Sequence, residues 1–134
     1  MRFELLDSAM TLDESYLDVD EETLRAQLAA YGRGDLREFD APVNYPAGLV
    51  GDVMRLMRAI PYGETRTYGD LAADLDTSAQ AVGQACGANP VPVVVPCHRV
   101  VAADGIGGFS AADGPNLKRR LLALESGESL ARFG

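Results

Sequence analysis

The sequence predicts an α+β fold, mainly helical, in which a small N-terminal annex over residues 1–45 precedes a larger domain over residues 46–134. Three observations predict it. Apolar residues recur at helical spacing in five stretches, proline and asparagine cluster at Pro42, Asn44 and Pro46, and two of the five helices are short and joined by so tight a turn that they read as a helix-turn-helix. A chain of 134 residues buries roughly two-thirds of its unfolded surface, so it needs no disulfide to fold.

The annex opens on an apolar patch at Phe3, Leu5 and Leu6. A helix follows Asp20, with Leu24, Leu28 and Tyr31 at helical spacing and Gly32 as its stop. In the larger domain, Leu49, Val53, Leu56 and Ile60, flanked by Val50, Met54 and Met57, make a strongly periodic core helix that ends at Pro61. Thr67 caps the first short helix, which runs to Leu75 with Tyr68, Leu71 and Ala72 on related faces. Asp76, Thr77 and Ser78 offer caps for the second, which runs to about Ala88 before Asn89-Pro90 closes it. Its inward residues are expected to be Ala81, Val82, Ala85 and Cys86, which leaves Gln80, Gly83, Gln84 and Gly87 outward. Glycine costs a helix ~1 kcal/mol relative to alanine, so two on one outer stripe suggest close approach of another surface. Val100-Val101, a turn at Ala103-Asp104-Gly105 and a loop at Gly107-Gly108 lead to a last helix from near Pro115. There Leu117, Leu121 and Leu124 form the expected buried stripe, Lys118, Arg119 and Arg120 a basic cluster on the solvated side or in contact with phosphate, and Gly127 the stop.

Acidic residues outnumber basic ones 20 to 12, giving a net charge of −8. That sum argues against a binder drawn to phosphate by diffuse attraction, and a surface so acidic, with Lys118 as the only lysine, suits a salt-rich interior. Distribution matters more. From Thr77 to Cys97 no residue is charged, where the 24% average would place about five. No stretch approaches a membrane-spanning length and Met1-Arg2-Phe3-Glu4 lacks the apolar run of a signal peptide, so a cytoplasmic location and no membrane partner are expected. Cys86 and Cys97 should then be thiols. A single histidine leaves a zinc site short of ligands, and no metal is expected.

The specific signal is Pro96-Cys97-His98-Arg99. Together with Ile60-Pro61-Tyr62-Gly63-Glu64-Thr65, Thr67-Tyr68-Gly69, Ala81-Val82-Gly83, Gly108-Phe109-Ser110 and Leu121-Leu122, it resembles the O6-alkylguanine-DNA alkyltransferases, also called methylated-DNA-protein-cysteine methyltransferases, from about Gly48 to Glu125. The resemblance implies a winged-helix-like alkyltransferase domain after a small, shortened α/β annex, with the helix from about Ser78 to Ala88 as the recognition helix. It implies DNA repair in which an alkyl group moves once from O6-alkylguanine in double-stranded DNA onto Cys97, by a monomer that needs no cofactor. A rival class, a non-catalytic module that flags alkylated guanine for other repair machinery, lacks the cysteine that is present here.

The chemistry asks for the same residues. An alkyl carbon on a guanine oxygen needs a soft, ionised nucleophile, and a thiol near pKa ~8.5 is mostly protonated at neutral pH, so Cys97 needs a base. His98 is the sole histidine. Adjacent side chains rarely face each other, so a bridging water is the expected link; Glu125, four residues past Leu121, sits where its carboxylate could turn inward, and the resemblance implies that it is the carboxylate that orients the imidazole. Cys86, inside a helix core, reads as an inert thiol. By resemblance, Asn89 ties the recognition helix to the active-site turn, Tyr68 hydrogen-bonds the flipped guanine, and the main-chain carbonyls of Cys97 and Val100 receive its exocyclic amine. Ser110 donates near the leaving oxygen, with Phe109 beside it where tyrosine is common. Gln80, Ala81, Gly83, Gln84, Gly87 and Arg99 are expected to meet DNA, with Gln80 standing where the family usually has the arginine that fills the gap left by the extrahelical base.

Overall fold

The computed structural model describes residues 1–107 and 114–127, and has the expected α+β character, with helices dominating. Two strands, the β part of the annex that the resemblance implies, open it. β1 (Arg2–Leu5) and β2 (Ser8–Thr11) pair antiparallel with Phe3 opposite Met10. Their two-residue turn puts Leu6 and Asp7 at φ 50° and 65°, the left-handed geometry that matches strand twist but is usually signalled by asparagine or glycine. Phe3, Leu5 and Met10 face the core. The helix α1 (Glu21–Gly32) follows, its first turn capped by the Asp20 carboxylate, which accepts from Thr23 N at 2.7 Å, and its buried stripe is Leu24, Leu28 and Tyr31.

Residues 33–48 then run without regular structure to α2 (Leu49–Arg58). The stretch is tied to α2 by Arg58, which donates to the carbonyls of Phe39 and Ala41 at 2.9 and 2.7 Å. At the other end of α2, a Cβ on Gly51 would sit 1.8 Å from the Pro46 carbonyl oxygen, so only glycine permits this approach. The buried face is rotated by about one residue from the expected stripe: Val53, Met54 and Met57 are sealed with Ile60, while Leu49 and Leu56 are half-buried. Apolar residues on both flanks left the centre of that stripe underdetermined.

The strand β3 (Arg66–Thr67) pairs in parallel with β4 (Val100–Val101), Arg66 opposite Val100. α3 (Tyr68–Leu75) starts at once through a capping box in which Thr67 Oγ1 accepts from Asp70 N and Asp70 Oδ2 accepts from Thr67 N. Asp76, left-handed at φ 52°, closes it, and Ser78 caps α4 (Ala79–Gly87) by accepting from Ala81 N at 3.1 Å. α3 and α4 are the expected helix-turn-helix. α5 (Gly114–Ser126) lies last, with Leu117, Leu121 and Ala123 fully buried. One hydrophobic cluster links Phe3, Leu5, Met10, Leu24 and Leu28 with Val53, Met57, Val82, Leu117 and Leu121. Both parts of the chain therefore share a core.

Candidate active site

The turn that carries Cys97 is held from one side by Asn89, just past the end of α4. Its Nδ2 donates to Val95 O at 2.9 Å and its Oδ1 accepts from Val91 N at 3.1 Å, so a single side chain staples the loop that leads into Cys97. The loop turns sharply. Val93 sits at φ 74°, a conformation that a β-branched residue adopts only when its surroundings enforce it. Cys97, His98 and Arg99 then form one 3-10 turn, which passes directly into β4.

Cys97 is 6% exposed. Burial pushes its thiol up from the usual range, while hydrogen bonding from Asn89 and the positive charge of Lys118 pull the other way. At rest the group is a thiol, and ionisation has to be driven. His98 is fully buried, and burial likewise holds its imidazole below the ordinary value, in the neutral form. Its Nε2 lies 2.7 Å from Glu125 Oε2. Its Nδ1 is buried and bonds to no group of the chain, which leaves that nitrogen available to a further partner.

Glu125 gathers four partners. Arg99 donates twice, from Nε to Oε1 at 2.8 Å and from Nη2 to Oε2 at 2.9 Å, and Tyr31 donates to Oε2 at 2.5 Å. The other two are His98 and the Gly63 backbone, whose N donates to Oε1 at 3.5 Å. Burial alone would push this carboxyl up, but the bonds from His98, Arg99 and Tyr31 outweigh it and hold Glu125 at about 2. It is an anion at any working pH.

Arg99 therefore does not lie where it was expected. It is 6% exposed, and its guanidinium is committed to Glu125 and to the Ile60 carbonyl at 2.7 Å, so it cannot reach out to a phosphate. A buried carboxylate needs a counter-charge, and Arg99, next to His98, supplies it. Lys118 is the second correction. Expected on a solvated face, it is fully buried and donates from Nζ to Val100 O at 2.6 Å and to the Tyr68 hydroxyl at 3.3 Å. Arg120 likewise turns inward, to Leu6 O at 3.0 Å and Ser8 Oγ at 3.3 Å, and Arg119 alone of the three is exposed.

Cys97, His98, Glu125, Asn89, Val100 and, through Lys118, Tyr68 thus converge on one locality. Gly107, at φ 76°, closes over Tyr68: a Cβ there would meet the phenol at 2.8 Å. Phe109 and Ser110 lie outside the described residues. On α4, Gln80, Gln84 and Gly87 are exposed, Ala81 and Gly83 half-buried, and Val82, Ala85 and Cys86 buried. A Cβ on Gly83 would touch nothing within 4 Å, so no packing inside the chain requires glycine there. Among the described residues no helix is long and apolar enough to cross a membrane.

Two residues of the site were missed in the sequence, Tyr31 and Lys118. Lys118 carried a signal: it lies three before Leu121 and seven before Glu125, so all three share a helix face. Tyr31 carried a weaker one, since a tyrosine on a buried stripe must find a partner for its hydroxyl.

Residues 50–127 match the family model described as 6-O-methylguanine DNA methyltransferase, DNA binding domain. The chain is 43% identical over 116 residues to a methylated-DNA-protein-cysteine methyltransferase of Archaeoglobus fulgidus, covering 83% of this chain and 78% of that one. It resembles Mycobacterium tuberculosis OGT solved in complex with DNA at 39% identity and a TM-score of 0.74, covering 84% of this chain and 73% of that chain. The O6-methylguanine methyltransferase of the same organism matches at 30% identity and a TM-score of 0.76, across 99% of this chain and 97% of the other.

Proposed function

Since the chain belongs to the methylated-DNA-protein-cysteine methyltransferase family, it repairs DNA by moving an alkyl group onto one of its own cysteines, and we propose that Cys97 is that cysteine and that O6-alkylguanine in double-stranded DNA is the donor. One observation carries the assignment. The imidazole next to Cys97 is held by Glu125 through Nε2 and left with a buried, unbonded Nδ1, the arrangement of a base waiting for a proton.

In the reaction the Cys97 sulfur attacks the alkyl carbon as the bond from that carbon to guanine O6 breaks. The thiol proton passes through a bridging water to His98 Nδ1, and the guanine leaves as an oxyanion that takes up a proton. Both burial effects matter. A thiol pushed above its usual range and an imidazole held below its own favour the uncharged pair at rest, so the proton moves as the sulfur–carbon bond forms and not before it. Glu125, fixed as an anion, stabilises the imidazolium that results. The thioether has no good leaving group, so each molecule acts once.

Asn89 holds the Cys97 turn against α4. Tyr68 and the carbonyls of Cys97 and Val100 are proposed to meet the flipped base, with Phe109 and Ser110 completing its pocket. On α4, Gln80, Ala81, Gly83, Gln84 and Gly87 form an uncharged face with an open glycine, suited to close approach by a nucleic-acid groove. The division near residue 45, a monomeric state and a cytoplasmic location, where both thiols stay reduced, complete the proposal. Intact-mass analysis after incubation with an O6-methylguanine duplex tests it: wild type should gain one methyl group per chain and Cys97→Ser none. An unmodified wild type would exclude the assignment.

A further inference from the structure

We propose that Tyr31, in the N-terminal segment and outside residues 50–127 that match the family model, is a positioning residue of the transfer site whose hydroxyl holds Glu125 and fixes the His98 proton on Nε2. The inference rests on the reading of Cys97 and His98 just given. Its geometry is independent of it.

Tyr31 lies in the last turn of α1 and is wholly buried. A phenol has one proton to give and can also accept. Glu125, an acceptor only, takes that proton at 2.5 Å, which leaves the Tyr31 oxygen presenting lone pairs to His98 Nε2, 3.3 Å away. Nε2 thus faces two acceptors, the carboxylate and the phenol oxygen. Only a protonated Nε2 satisfies both, so the lone pair is confined to Nδ1.

The same hydroxyl limits how strongly Glu125 attracts a proton to the imidazole. With two bonds from Arg99 and one from Tyr31 on the carboxylate, part of its charge is already engaged. The groups around the imidazole come from every neighbouring element. Glu125 and Lys118 come from α5, Arg99 and Cys97 from its own turn, and Tyr31 from α1. Tyr62 lies on the loop after α2, with Arg37 over its ring and its hydroxyl directed to Leu124 O at 3.3 Å. Among these, Tyr31 is the neutral donor that touches both members of the pair.

Packing does not explain the hydroxyl. The ring is held by Phe39 at 5.4 Å and by the edge of Tyr62 at 6.3 Å between centroids, contacts that phenylalanine would keep. A phenol buried here for packing alone would carry a desolvation cost with no return.

Because His98 is the only histidine in the chain, a nitrogen-15-labelled sample gives one imidazole pair, and long-range proton–nitrogen spectra report its tautomer and titration directly. Wild type should show the proton on Nε2. In Tyr31→Phe, with one donor removed, the freer carboxylate should stabilise the imidazolium. The imidazole should then titrate at higher pH, and the acid limb of the rate profile, which lies below the ordinary histidine value of ~6.5, should move up with it. Transfer should accordingly fall several-fold more on the acid side of that limb than at pH 8. Phe39→Leu serves as the packing control, expected to lower the Tm while leaving the titration in place. An imidazole titration and acid limb unchanged in Tyr31→Phe would overturn the proposal, as would a wild-type proton on Nδ1, which can be read even if the variant does not fold. Should wild type accept no alkyl group, the transfer reading fails while the imidazole spectra still decide the role of Tyr31.

Discussion

At the residue scale, much of the site was legible because its chemistry limits the choices. A thiol that must ionise needs a base, and this chain has one histidine to offer. Helical spacing after Leu121 let Glu125 turn inward, and the resemblance gave it a role. What the sequence hid were the charges that compensate one another. Arg99 looked like a surface cation because arginine usually is one, yet a buried carboxylate demanded it, and such a demand shows only once Glu125 is seen at 6% exposure. Lys118 was hidden in the same way, by neighbours Arg119 and Arg120 that made it look like part of a solvated cluster. Its ammonium bears on the Cys97 sulfur, since its charge pulls that thiol down against burial. Lys118→Met, which keeps the apolar stem, should therefore move the pH dependence of Cys97 modification by a small alkylating reagent to higher pH. The variant should also slow transfer roughly tenfold, about the worth of one charge-assisted hydrogen bond. An unmoved profile would show that the ammonium does not act on the sulfur.

At the scale of elements, the helices were readable from local pattern and the strands were not. α3 and α4 announced themselves through Thr67, Asp70 and Ser78, whose caps are local and survive any tertiary context. β1 and β2 are four residues each, joined by Leu6-Asp7 in a conformation those residues seldom take, so neither length nor turn chemistry gave them away. The face of α2 was misplaced for a different reason: with Met54 and Met57 as apolar as Leu49 and Leu56, only tertiary packing decides which side is sealed. The outer face of α4 makes a prediction of its own. Gln80 is exposed at the N-terminal end of that helix, where the family usually presents arginine, and glutamine can wedge and hydrogen-bond but brings no charge. Gln80→Arg should speed repair of O6-methylguanine in duplex DNA several-fold while leaving the reaction with free O6-benzylguanine unchanged. Equal acceleration of both substrates would remove Gln80 from the base-flipping role.

For the whole molecule, the boundary near residue 45 that proline and asparagine suggest is bridged by a continuous core and by Tyr31, so the two parts should unfold together. Acid stability carries the mark of the buried His98–Glu125 pair. Glu125 is held at about 2 in the fold, below its unfolded value near ~4.3. Its contribution is thus complete above the unfolded value and lost as pH falls toward the folded one. His98 acts in the same direction: an imidazole kept neutral below its ordinary value makes folding weaken as pH drops through ~6.5, where the unfolded chain begins to take up the proton. The Tm should therefore decline in two stages on acidification, the first starting near ~6.5 and the second near ~4.3. In Glu125→Gln the second stage should shrink, and an identical acid profile in that variant would show that the carboxylate does not govern it.

Cys86 is buried on α4 with its sulfur 3.6 Å from Met57 Sδ, and burial pushes its thiol up to about 12. With no base among its described hydrogen-bond partners, Cys86 is poorly suited to serve as a second acceptor. A population of this protein is a fixed stock of single-use sulfurs, and the lesions a cell can clear between rounds of synthesis are limited by copy number, not by speed.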